Sequence, residues 1–241
     1  AHLSACAFGV TAAGDTEEVT LTQLLDWIGS AAQGDILYRG ASSWARLGAG
    51  TSGQFLKTQG AGSNPVWADA GGLVLLNSGT VSAAATLDIV LTSYTGYRAL
   101  QLVLGNFRPA TDAQALYLRF STDGGSTFDA GVSDYNWAYV RFGDAALGGN
   151  EDVADSEIQM GPIMGNAATE GGSFTLTIYQ QTSTAHWTKC FFDGHLIDIN
   201  SNPHCLIGGG AREATQDTDA IRFLMSSGNI AEGNWALYGY A

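Results

Sequence analysis

From Leu73 onward, apolar and polar positions alternate with period two in one segment after another. Leu100, Leu102 and Leu104 alternate with Gln101 and Val103, and Leu116, Leu118 and Phe120 with Tyr117 and Arg119. Phe174, Leu176 and Ile178 alternate with threonines, and Ile221, Phe223 and Met225 with Arg222 and Leu224. That period predicts half-buried antiparallel strands, because successive side chains of a strand point to opposite faces. Further strands are expected at residues 73–76, 86–91, 137–142, 189–192 and 235–240, separated by Gly-rich turns such as Asp123-Gly124-Gly125-Ser126 and Gly208-Gly209-Gly210. About ten strands over roughly 170 residues suit two packed sheets, an antiparallel β-sandwich of jelly-roll or lectin-like kind. Period-two counting leaves the strand order open.

The region before Leu73 reads differently. Residues 1–15 show no regular pattern, and from Thr16 a short N-terminal helix is expected. Thr16 can cap it, Glu17 and Glu18 suit the positive end of the helix dipole, and Leu21, Leu24, Leu25 and Ile28 fall at helical spacing up to Gly29, with Trp27 widening the stripe. Residues 34–69 hold four short apolar patches, around Leu37 and Tyr38, Trp44 and Leu47, Phe55 and Leu56, and Trp67. Gly, Ser, Asn and Pro separate the patches, a pattern that predicts two tight hairpins. Hairpins this small cannot enclose a core, so their Trp and Leu side chains need cover from outside, most simply from the same segment of neighbouring chains. The run ADAGG at residues 68–72 is a small-residue hinge. The expected organisation is residues 1–31 as an N-terminal attachment segment, 32–72 as an intertwined β-hairpin stem and 73–241 as the sandwich.

The order Gly34-Asp35-Ile36-Leu37-Tyr38-Arg39-Gly40, Trp44-Ala45-Arg46-Leu47, Gly53-Gln54-Phe55-Leu56, Gly60-Ala61-Gly62 and Pro65-Val66-Trp67 resembles the stem module of bacteriophage tail fibres and related virion fibres. Ser227-Gly228-Asn229-Ile230 followed by Leu237-Tyr238-Gly239 is similar to the closing strand pair of many phage fibre tip domains. Likewise, residues 116–128 resemble the strand and hairpin that open those domains. The resemblance implies a homotrimer, mainly β, with Leu37, Tyr38, Trp44, Leu47, Phe55, Leu56 and Trp67 in a trimeric stem. It also implies a virion location, attachment to other virion proteins through the N-terminus, and host attachment at the tip.

Composition narrows the partners. The 241 residues include 45% hydrophobic and only 14% charged residues with 32 Gly, which suits strands and turns. A net charge of -13 disfavours nucleic acid, whose binding depends on Lys and Arg neutralising phosphates, and disfavours anionic membrane surfaces likewise. No apolar run reaches membrane-spanning length, so no membrane insertion is expected. Three cysteines, Cys6, Cys190 and Cys205, cannot all pair within one chain. They are expected as buried free thiols of a protein assembled in a reducing bacterial cytoplasm.

Candidate chemistry is sparse. His186, His195 and His204 with Cys190 and Cys205 follow no zinc spacing, and the acidic run at residues 143–157 lacks the ordered ligands of a calcium loop. No metal or other cofactor is expected. No GxSxG, HExxH or phosphate loop occurs, so the reading is not an enzyme. Binding is better supported: Asp134, Tyr135, Asn136, Trp137 and Trp187 set amphipathic rings beside hydrogen-bonding groups, the mixture used for sugars. The same rings are natural core fillers, an alternative that weighs more on Trp137 and Trp235 than on Tyr135. The expectation is a virion fibre binding a host-surface polysaccharide by avidity. The alternatives are a purely structural capsid- or tail-decorating fibre, and a glycan depolymerase.

Overall fold

The computed structural model describes residues 7–12, 15–20, 32–69, 71–143 and 146–240. The chain divides into two compact units, Ala1–Ala70 and Gly71–Ala241. Every element among the described residues is a β-strand, and every pairing between strands is antiparallel.

The first unit is a series of hairpins: β1 (Ala7–Ala12) with β2 (Asp15–Thr20), β3 (Ile36–Arg39) with β4 (Trp44–Leu47), and β5 (Phe55–Lys57) with β6 (Val66–Ala68). Strand β1 arises where the sequence shows no regular pattern. Residues 16–20, expected to open a helix, run instead in β2, with Thr16 opposite Thr11 and Val19 opposite Phe8. Thr16, Val19 and Thr20 are β-branched and favour a strand, which outweighs the capping signal. The rest of that expected helix, Leu21 to Gly29, lies outside the described residues.

Asp35 organises the β3–β4 hairpin. Its carboxylate accepts hydrogen bonds from Ala32 N at 2.6 Å, Ala49 N at 3.1 Å and Arg46 Nη1 at 3.1 Å. One side chain thus ties both ends of the hairpin, and Gly34 precedes it at φ +91°, a conformation that favours glycine. The β5–β6 hairpin is fastened to the first by Trp67, whose Nε1–H donates to Gly48 O at 2.5 Å. Its ring lies so close over Gly50 that a Cβ there would come within 2.8 Å. Despite these ties, no residue from 32 to 69 is fully buried, and Leu37, Trp44, Phe55 and Leu56 are exposed.

The second unit contains β7 (Leu73–Ala84), β8 (Thr86–Val90), β9 (Ala99–Pro109), β10 (Leu116–Ser121), β11 (Tyr135–Gly143) and β12 (Ala146–Asp155). It continues with β13 (Ile158–Gln159), β14 (Gly171–Tyr179), β15 (Lys189–Ile197), β16 (Pro203–Arg212), β17 (Ala220–Met225) and β18 (Ile230–Tyr240). They form an eight-stranded sheet, β12-β11-β16-β15-β14-β9-β18-β7, and a four-stranded sheet, β13-β10-β17-β8. The chain shuttles between the sheets, so the alternating apolar residues of one sheet meet those of the other. Leu100, Leu102, Leu104, Phe174, Leu176 and Ile178 of the large sheet share one core with Leu116, Leu118, Phe120, Ile221 and Phe223 of the small sheet. Phe107 meets Phe223 edge-on with ring centroids 6.3 Å apart. Burial of so many large apolar side chains, each stabilising by about 1.5–3 kcal/mol, is the main force holding the sheets together.

Candidate functional site

The five residues expected to bind sugar lie near one end of β11, but the structure divides them between core and surface. Tyr135 is fully buried: its hydroxyl accepts a hydrogen bond from Phe120 N at 2.8 Å and donates to Asp129 O at 3.1 Å, bridging the two sheets. Burial pushes its phenol well above the ordinary range. Trp137 is also buried, stacked on Tyr139 at 5.8 Å, with its Nε1–H donating to Asp155 Oδ2 at 2.9 Å. Both rings are therefore taken up by the core. The physical cause is parity, because 135, 137 and 139 share the inward face of β11 while Asn136 takes the outward one.

The polar members are tied into the chain. Asp134 Oδ2 accepts from Gly131 N at 2.5 Å, closing the turn before β11, and Asn136 Nδ2 donates to Glu213 Oε1 at 2.6 Å. Trp187 is exposed in the loop before β15. It stays at the same end of the sheet, since the adjacent Thr188 O accepts from Arg212 N at 3.0 Å and Arg212 pairs with Tyr135. Of the five, Trp187 alone offers an exposed ring.

Nearby, Arg212 is buried, and its Nε donates to a carboxylate oxygen of Asp129. Its other nitrogens donate to Gln216 O at 3.2 Å and Gln216 Oε1 at 3.1 Å. His204, also buried, lies between Arg141 Nη1 at 3.0 Å and Asp198 Oδ2 at 3.1 Å. Burial pushes the Cys190 thiol up to about 12, making it a packing residue rather than a reactive one, whereas Cys205, expected to be buried, is exposed because it takes the outward parity of β16. Among the described residues, no group of three or more His, Cys, Asp or Glu is placed to hold a metal ion.

A polar cleft of about 730 Å³ opens elsewhere on the unit, where β7, β18 and β9 meet the loop at residues 168–170. Thr80, Ser82, Asn106, Thr169, Glu170, Glu232 and Asn234 line it. Irregular pairing shapes it: the β18–β9 ladder shifts register at Ile230/Glu232 and Glu232/Asn234, and the β14–β9 ladder at Gly172/Phe174. Such bulges re-aim side chains that a regular ladder would hold in line. Asn106 sits at φ +53°, a left-handed conformation that Asn tolerates better than most residues, and its N–H donates to Ser173 Oγ at 3.1 Å.

Glycine makes room for the cleft's polar groups. A Cβ at Gly105 would come within 2.4 Å of Asn234 Oδ1, so only glycine lets that carboxamide lie across β9. Glu232 Oε1 accepts from Arg108 Nε at 2.9 Å. Glu170 Oε2 accepts from Ala167 N at 2.8 Å and its Oε1 from Ser201 Oγ at 3.1 Å. Two carboxamides, two carboxylates and several hydroxyls converge on one open concavity, a donor and acceptor set suited to a polyhydroxylated ligand.

These residues did not stand out in the sequence, because each is an ordinary surface residue of a strand or turn. The nearest signal was Gly-Asn at 105–106 and Gly-Asn at 233–234, which reads as turn chemistry. No family model, curated protein or solved structure matches this chain.

Proposed function

We propose that the chain is a structural fibre protein of a bacteriophage virion, assembled as a homotrimer and attaching the particle to a host-surface polysaccharide. Residues 32–72 form the intertwined stem, residues 1–31 engage other virion proteins, and residues 73–241 make a jelly-roll or lectin-like tip. The observation that carries this reading is the absence of any fully buried residue from 32 to 69, in hairpins that display Leu37, Trp44, Phe55 and Leu56. Side chains of that size, exposed together on so thin a scaffold, need cover, and identical hairpins supply it with matched shape.

Receptor contact is assigned to the polar cleft between Asn106, Asn234 and Glu232, where hydrogen bonds to sugar hydroxyls can form without catalysis. Each cleft binds weakly, and three per fibre raise the apparent affinity. Light scattering on the intact chain tests the assembly: a mass three times the 25.2 kDa of one chain is expected, and a stable monomer overturns the reading. Binding to purified host polysaccharide, weakened by Asn234→Ala and without release of oligosaccharide, tests the tip.

A further inference from the structure

The outward face of the eight-stranded sheet is divided in character. Around β12, β11, β16 and β15 it displays Leu147 (67% exposed), Phe142 (55%), Phe191 (47%), Ile207 (47%) and Val140 (36%). Register gathers them: Phe142 stands opposite Leu147, Val140 opposite Ile207, and Phe191 beside Gly209 in the next strand. Four strands at about 4.8 Å spacing and five residues at about 3.4 Å give this patch an extent of roughly 330 Å², within the range of surface patches that are often functional.

We infer that this patch is an interface between the second units of neighbouring copies of the chain. The inference rests on the fibre reading, which supplies the neighbours, and goes beyond the stem to say which face of the tip they share. Charge selects the occupant. The chain carries a net charge of -13, so copies repel one another over most of their surface. The outward positions Ala138, Val140 and Phe142 of β11 and Cys205, Ile207 and Gly209 of β16 carry no formal charge. Lys189 and Asp193 on the adjoining strand β15 cancel, and on β12 Leu147 and Gly149 are uncharged while Glu151 stands at the rim, opposite Ala138. The centre of the patch is a neutral window through which a like-charged copy can approach, while it offers a basic partner or a glycan few ionic or hydrogen-bonding groups. Stem association would hold the tips at about millimolar effective concentration, so even a modest apolar face would be occupied by its own kind first.

Cys205 reports on the face, because it is exposed in the single chain and lies opposite Phe142, whereas Cys190 is buried. The test uses the intact chain carrying Cys6→Ser, with the rate of maleimide labelling and the mass measured together. Labelling of Cys205 at least about tenfold slower than in the Ile207→Lys variant, in a chain that is trimeric, is the expected result. Rapid labelling in a trimer overturns the interface and leaves the fibre reading standing, whereas a monomer overturns both. Equal protection in the wild-type chain and a folded Ile207→Lys variant also overturns it, since something other than this face then covers the thiol. Phe191→Ser, read in the same way, replaces Ile207→Lys if that variant fails to fold.

Discussion

Trp67 donates its indole N–H to the carbonyl of Gly48 at 2.5 Å, so the β5–β6 hairpin is pinned to the segment that follows β4. Trp67→Phe keeps most of the ring and removes the bond, and should destabilise the hairpin pair by about 1 kcal/mol. Gly50→Ala should cost more, because its Cβ would fall within 2.8 Å of the indole, in contact with rigid ring atoms. Amide exchange across residues 48–68 measures both, and unchanged protection in either variant would contradict the pinning.

Arg212 and Asp129 form a one-sided pair, with the guanidinium buried and the carboxylate partly in water. Asp129→Ala should therefore destabilise the second unit by about 3 kcal/mol, because it strands a buried charge. Arg212→Met, which removes the charge itself, should cost less. The midpoints of denaturant unfolding give the comparison, and the opposite ranking would mean that packing around the Arg212 stem matters more than its charge.

Asp123 closes the turn after β10, and its carboxyl is held down to about 2 by the Thr127 N–H first, then by the Thr127 and Ser121 hydroxyls. Because this value lies below the ordinary 3.8, the turn is fully stabilised above pH 3.8 and loses that contribution as pH falls toward about 2. An NMR titration of the Asp123 carboxyl should show a midpoint near 2, with the Thr127 amide shifting in step. A midpoint near 4 would show that the turn's bonds do not persist in solution.

At Asn106 backbone and ligand roles can be separated. Asn106→Ala should destabilise by about 1 kcal/mol because alanine resists the positive φ, whereas Asn106→Gly should be nearly neutral. Both remove the carboxamide, so both should weaken polysaccharide binding to a similar degree. Binding lost only in the alanine variant would mean that the backbone, not the side chain, matters to the cleft.

How far these features were legible in the sequence follows from what each depends on. Alternation at Leu100–Leu104 or Ile221–Met225 is a local property of a strand with one buried face, and those strands could be read directly. Trp137 could be placed on a strand and Tyr135 only near the turn before it, and which parity faced inward depended on the small sheet above them. The apparent helix start at Thr16 failed because capping residues also suit a strand edge, and pairing with β1 is invisible to a local rule. The cleft was hidden for another reason: the bulges at Glu232 and Phe174 shift the pairing of one strand against its neighbour, and no residue type announces them.

The seating of β18 has a bearing on synthesis. It lies between β7 and β9, and Gln101 reaches Tyr240 across 139 residues of chain. β7 pairs with no strand of its sheet except β18. As the chain leaves the ribosome, β7 and β9 are made early and must wait, with their apolar residues uncovered, until residues 230–240 emerge to join them. A unit that closes on this strand cannot complete its large sheet until the strand has emerged, and a chain interrupted before Ile230 carries an open sheet edge ready to pair with whatever it meets.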